Sequence, residues 1–330
     1  MDEQITGCSA VNDHISKPIP ATLWHYTSYN GFHGIITSKR VWATEYRFLN
    51  DREEFLHARE LALAVVEEEP EIIGEFFPAR EYVRKAVNIV FNTGYMTEER
   101  LRVMVASFSE AGDQLSQWRG YANDSRGVCI GFDLRDMRPT PGLGSTVTFA
   151  PCIYDQETKR ALLKAIFTDY RNRVYEWWGS TMNLAHREGR AVTAYDPQSA
   201  ATIVKGREPE LQRALKMGHV GLQFDLIRAA PLLKNESFSE EREWRLVLPC
   251  MPDRGRPNIN ELEFRCMRDG IVPYFASLLP RVANDGPITC TDVILGSGCH
   301  PAAEVGVNLF LQKAGIRVLA KRSAIPYRPT

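Results

Sequence analysis

The feature that most limits the fold is a change of hydrophobic period partway along the chain. Up to about residue 154, apolar residues come in short β-favouring runs: LWHYTS from Leu23, VWAT from Val41, VMVASFS from Val103, GVCIGFD from Gly127 and GSTVTFAPCIY from Gly144. Each is the length of a strand, and GFHGIITSK between the first two places Phe32, Ile35 and Ile36 on one side of a helix. Between about Asp155 and Lys234 the period becomes helical. Leu163, Ile166, Phe167, Tyr170, Val174, Trp177 and Trp178 recur at i, i+3, i+4, and Leu211, Leu215, Val220, Phe224 and Ile227 repeat the pattern. Strand character then returns in EWRLVLP, ELEFRCM, TDVILG and IRVLA. A helix over about Ala302–Ala314, closed by Gly315, separates the last two, as in a parallel β-α-β crossover. The pattern predicts an α+β chain with a mixed β-sheet core and a large helical insertion at about 155–234.

Residues 1–20 show no period and end in KPIPAT, so they read as a flexible tail before a single domain over 21–330. Helices are also expected from Asp51, a candidate N-cap, through Phe55, Leu61 and Val65, and over about Arg80–Phe91. The 330 residues are 44% hydrophobic and 25% charged, which excludes disordered and fibrous classes. A net charge of -1 implies no global attraction to nucleic acid or an anionic membrane. The seven cysteines form no CxxC pair, so no disulfide framework or structural metal is expected. With no basic, apolar leader and no long apolar segment, a cytoplasmic protein without membrane contact is predicted.

Chemistry-bearing residues gather in a few short motifs. Alternation along LWHYTS sets His25 and Thr27 on one face and Trp24 and Tyr26 on the other, so an imidazole and a hydroxyl share a surface; a strand-end histidine serves structure as readily. In EREWRLVL, Glu241, Glu243 and Arg245 alternate with Trp244, Leu246 and Leu248. Their charged face is either a catalytic wall or a solvated surface with cross-strand ion pairs. Asn50 and Asp51 in LNDREE are ligand contacts or a helix cap, and GSGCHP, from Gly296, is an anion-binding turn or a tight connection. No GxxxxGK[ST], HExxH, GxSxG or strand-linked GxGxxG motif is present.

Taken together, HYTS, FLNDREE, SFSE, LSQWRGYA, GVCIGFD, FSEEREWRLV, DVILGSG and SAIPYR resemble a bacterial family of domains of unknown function from about Leu23 to Arg328. The opening strand, helix and second strand also resemble the start of the ADP-ribosyltransferase superfamily. That resemblance implies an ADP-ribosyltransferase-like fold and an NAD-dependent enzyme that cleaves the nicotinamide–ribose bond, as a toxin or phage-defence effector with a protein or nucleic-acid acceptor. Under it, His25, Tyr26 and Thr27 hold NAD, Ser107 and Ser109 fall on the middle polar strand, and Tyr121 or Trp118 stacks on nicotinamide. Arg47 or Arg245 would pair with the diphosphate, and Glu243 with Glu241 would form the catalytic ExE pair. A histidine in the first motif usually accompanies a lone glutamate, so the ExE spacing departs from the common pattern. Two other readings stand beside this one: a non-catalytic nucleotide-binding or sensor module, and a magnesium-dependent nuclease using Asp51, Glu53, Glu241 and Glu243.

Overall fold

Strand β1 (Leu23–Thr27) ends at Ser28, whose hydroxyl accepts from the Gly31 N–H and starts helix α2 (Tyr29–Ser38). Lys39, in the left-handed region at φ 55°, turns the chain back into β2 (Arg40–Glu45). In the computed structural model the described residues are 7–49, 52–73, 83–88, 90, 102–134, 147–187, 218, 220–250, 261–267, 270–278 and 289–327. Asn50 and Asp51 lie outside them, and so do the side chains of Glu53, Trp177 and Trp178 and all of Leu211 and Leu215.

The chain divides into two compact units. One comprises Met1–Asp13, Phe55–Tyr95 and Asp155–Ala230, and the other His14–Glu54, Met96–Tyr154 and Pro231–Thr330. In the first, α3 (Arg52–Glu68) buries Ala58, Leu61, Ala62 and Val65, and the long α5 (Gln156–Arg187) buries Leu163, Ile166, Phe167 and Tyr170 at the expected spacing. Residues 83–88 are helical, within the stretch expected from Arg80. Residues 9–15, read from sequence as tail, form helix α1 (Ser9–Ile15) with Cys8 and Val11 buried. Its start is fixed from far along the chain, because the Cys8 N–H donates to both carboxylate oxygens of buried Asp225 at 3.0 and 3.1 Å. No local pattern signals such a contact.

The second unit holds a mixed sheet. Besides β1 and β2 its strands are β3 (Arg102–Ser109), β4 (Val128–Phe132), β5 (Thr148–Pro151), β6 (Glu243–Cys250), β7 (Glu263–Met267), β8 (Gly270–Leu278), β9 (Cys290–Leu295) and β10 (Ala320–Arg322). Their order is β10-β9-β4-β1-β3-β2-β8-β7, with β6 paired to β3 and β5 to β6. Strands β9 and β10 run parallel, joined across helix α6 (Ala303–Lys313), as the crossover pattern predicts, and the other strand pairs among the described residues are antiparallel. The last strand begins at Ala320, beyond most of IRVLA, and β8 is not anticipated, because Pro273 interrupts its β-favouring run. Helix α4 (Leu115–Tyr121) packs Trp118 on Tyr26, Cys129 and Ile294, while Leu23, Phe108, Phe132, Trp244 and Leu295 anchor the main core. Among the described residues no helix is long and apolar enough to cross a membrane.

One irregularity of the sheet matters for function. Strand β6 pairs with β3 along its whole length, from Arg102 to Ser109. On the other edge of β3, β1 meets it only at Ser109 and β2 only at Val105 and Met104. Neither strand pairs with residues 106–108, so the sheet splits between β1 and β2.

Candidate functional site

The split exposes the Ser107 carbonyl, and the imidazole of His25 takes it, with Nδ1 2.9 Å away. A carbonyl only accepts, so Nδ1 carries the proton and the neutral ring presents Nε2 as an acceptor. The ring also lies against Phe108, centroids 5.6 Å apart. Burial, chiefly, lowers the His25 pKa, and the nearby charge of Arg265 adds to the effect, while the Ser107 bond opposes it.

The second cluster stands at the start of β6. A 3₁₀ helix over Glu236–Glu241 ends at Arg242, which adopts the left-handed conformation (φ 43°, ψ 52°). That turn, rather than strand alternation, brings Glu241 and Glu243 to one point, because Glu241 precedes the strand. Both carboxylates meet the ammonium of Lys234, which lies 2.5 Å from Glu241 Oε2 and 2.7 Å from Glu243 Oε2. Arg245 closes the other side of Glu243 through Nε to Oε1 (2.8 Å) and Nη2 to Oε2 (3.0 Å), and donates Nη1 to the Pro231 carbonyl at 2.7 Å. Tyr154 Oη accepts the Glu243 N–H at 2.8 Å, and Tyr121 Oη reaches Glu241 Oε1 at 3.4 Å. All four charged side chains are buried. Burial alone would raise the Glu243 pKa, but the charges and hydrogen bonds of Arg245 and Lys234 outweigh it and hold the carboxyl at about 2. The charged face expected on β6 is therefore an enclosed ionic network rather than a solvated one.

The other sequence candidates are distributed as follows. Ser109 Oγ donates to the Glu241 carbonyl at 2.7 Å and accepts from the Ala111 N–H at 3.0 Å, so it braces the glutamate loop. Ser107 contributes its backbone carbonyl to His25. Tyr26 Oη donates to the Ala111 carbonyl (2.8 Å) and accepts from the Gln114 N–H (3.1 Å), while its ring meets Trp118 edge-on. These contacts tie Tyr26 to the fold, and so does the packing of Thr27 against Gly31, where a side chain in place of the glycine hydrogen would strike the threonine hydroxyl. Arg47 directs Nε onto both carboxylate oxygens of buried Glu45, at 2.9 and 3.0 Å.

The register separates the two leading candidates. Ser109 pairs with both Trp24 and Glu243, which puts Glu243 on their face. His25, one residue on from Trp24, belongs to the opposite face with Phe108 and Trp244. His25 and Glu243 therefore flank β3 rather than sharing one wall. The GSGCHP turn uses its donors internally: the N–H groups of Gly296, Ser297 and Gly298 go to Gly127, the Ser125 hydroxyl and the Ser125 carbonyl. It is a tight connection rather than an anion cradle. Sequence reasoning missed Lys234 and Arg265, and a lysine in a polar turn or an arginine on a charged edge strand carries no distinguishing local signal.

Part of the chain matches one known family model. Residues 117–246 match the family described as protein of unknown function (DUF2971). The matched span runs from α4 into β6, so it includes Tyr121, Lys234, Glu241, Glu243 and Arg245 and stops short of the Leu23–Arg328 range expected from the motifs. No curated protein and no solved structure matches the chain.

Proposed function

We propose that the protein is an ADP-ribosyltransferase-like enzyme that cleaves the nicotinamide–ribose bond of NAD, with a protein or nucleic-acid acceptor or water receiving the ADP-ribosyl group. The observation that carries this reading is the Glu241–Glu243 pair, held on one buried ammonium beside β3. The split mixed sheet supports an ADP-ribosyltransferase-like fold in the same sense, and a cytoplasmic effector of toxin or phage-defence type fits that chemistry.

Breaking the C1–N bond leaves its electron pair on nicotinamide and positive charge on the ribose, as in glycoside cleavage. A carboxylate kept charged at neutral pH stabilises that cation, and the depressed pKa of Glu243 meets the requirement. Both Glu243 oxygens already bind Lys234 or Arg245, so Glu243 sets the field and the position of the loop while Glu241, turned to Tyr121, is the carboxylate that meets the sugar or takes the acceptor proton.

The test is nicotinamide release by the purified chain, with and without bulk nucleic acid or protein acceptor. Glu241→Gln is expected to lower release by about 100-fold or more at unchanged fold. Absence of release from the wild type, together with binding of NAD that survives Glu243→Gln, would overturn the enzyme reading in favour of a nucleotide-binding or sensor module. That second reading is favoured by one observation, the full engagement of Glu243 by two cations. The same two cations would have to be displaced for a magnesium ion to use this carboxylate in a nuclease.

A further inference from the structure

Arg47 and Arg245, the two arginines the sequence offers to a diphosphate, are each committed to a buried carboxylate. Arg265, on β7, is not. Among the described residues its guanidinium makes one hydrogen bond, from Nη2 to the Thr44 hydroxyl at 2.7 Å, and lies 5.6 Å from the ring centroids of both Trp42 and Tyr274. The two rings are themselves in contact, centroids 4.7 Å apart, so they form an aromatic floor under the cation. Glu263, two residues away on the same strand, turns its carboxylate to Tyr274 Oη at 2.7 Å instead. A guanidinium has five donors in a planar fork, and among the described residues one is used.

The placement adds to the chemistry. Thr44 and Trp42 belong to β2 and His25 to β1, the two strands that part along β3, and Arg265 lies close enough to His25 to disfavour a second positive charge there. Partial burial of a cation with no carboxylate in ion-pair contact among the described residues is unfavourable, and the ring contacts offset it only in part. An anion held by the remaining guanidinium N–H groups and by the Thr44 O–H, whose oxygen already accepts from Nη2, would complete the set.

We propose that Arg265, Thr44, Trp42 and Tyr274 form a phosphate subsite for a nucleotide ligand, with the guanidinium fork on the phosphate oxygens. That the phosphate belongs to a nucleotide rests on the reading given above; the oxyanion site itself does not.

The experiment measures binding of pyrophosphate and ADP to the full chain by calorimetry and by thermal shift, in wild type, Arg265→Gln and Arg265→Lys. Both probes are expected to bind wild type, with affinity at least about tenfold weaker in Arg265→Gln and intermediate in Arg265→Lys, which keeps the charge but loses the fork. If Arg265→Gln does not fold, the lysine variant alone decides, since equal affinity there removes the fork from the site. Equal binding by wild type and Arg265→Gln, or binding of neither probe by wild type, overturns the proposal. Pyrophosphate binding that depends on Arg265 in a chain releasing no nicotinamide keeps the subsite and discards the NAD-cleaving reading. Nicotinamide release with a KM for NAD unmoved by Arg265→Gln does the reverse.

Discussion

The buried ammonium of Lys234 lies 2.7 Å from Glu243 Oε2, nine residues along the chain and across the left-handed turn at Arg242. With Glu241 on the same nitrogen, Lys234 bridges the two glutamates. Removing one partner of a buried ion pair costs about 3–5 kcal/mol, because the remaining charges stay desolvated. Lys234→Met is therefore expected to destabilise the chain by that amount in urea unfolding. Adding Glu241→Gln to Lys234→Met should recover part of the loss, since it leaves one carboxylate facing Arg245. Strict additivity of the two substitutions would show that the ammonium does not couple the glutamates.

Glu243 gives the fold an acid limit. Its folded pKa, held at about 2, lies below the ordinary 4.5, so the unfolded chain takes up this proton first as pH falls. The stabilisation is complete above about pH 4.5 and disappears as pH falls to about 2. At about 1.4 kcal/mol per pH unit, the loss is on the order of 3 kcal/mol. Urea midpoints measured across that range should fall steeply for wild type, and Glu243→Gln should flatten the curve. An equally steep fall in the variant would assign the acid limit to other carboxylates.

Short apolar, β-favouring runs made most of the sheet legible, and helical spacing did the same for α3 and α5, because burial of the central strands and of one helix face is written in apolar residues. The ExE spacing pointed to the glutamate pair, yet what joins Glu241 to Glu243 is the positive φ of Arg242 and a lysine from another turn, neither of which has a periodic signal. Helix α1 was hidden for a related reason, since its anchor Asp225 is distant in sequence. The opposition of His25 and Glu243 across β3 depends on the register of three strands, which only the folded pairing supplies.

His25 sets a second pH dependence near neutrality. Its folded pKa is below the ordinary 6.5, so stability is full above about pH 6.5 and declines below it as the unfolded chain is protonated first. Imidazole resonances followed by NMR should show His25 titrating below 6.5, with Nδ1 keeping its proton at neutral pH. A midpoint at or above 6.5, or an Nε2-protonated neutral ring, would contradict the bond to Ser107.

Tyr26 and Glu241 respond differently to loss of their polar atoms, and the contrast separates scaffold from chemistry. Tyr26→Phe removes a hydroxyl that both donates to Ala111 and accepts from Gln114 inside the fold. Two buried backbone groups are left without that partner, a cost of about 1–3 kcal/mol in unfolding free energy. Neither contact is to a glutamate side chain, although Ala111 and Gln114 are themselves bonded to the loop through Ser109 and the Glu240 carbonyl, so nicotinamide release per folded molecule should fall far less than in Glu241→Gln, which abolishes most of it. Parallel denaturation and release assays on the two variants make the comparison. A Tyr26→Phe chain of wild-type stability with a raised KM for NAD would return Tyr26 to the ligand, where the HYTS motif alone would put it.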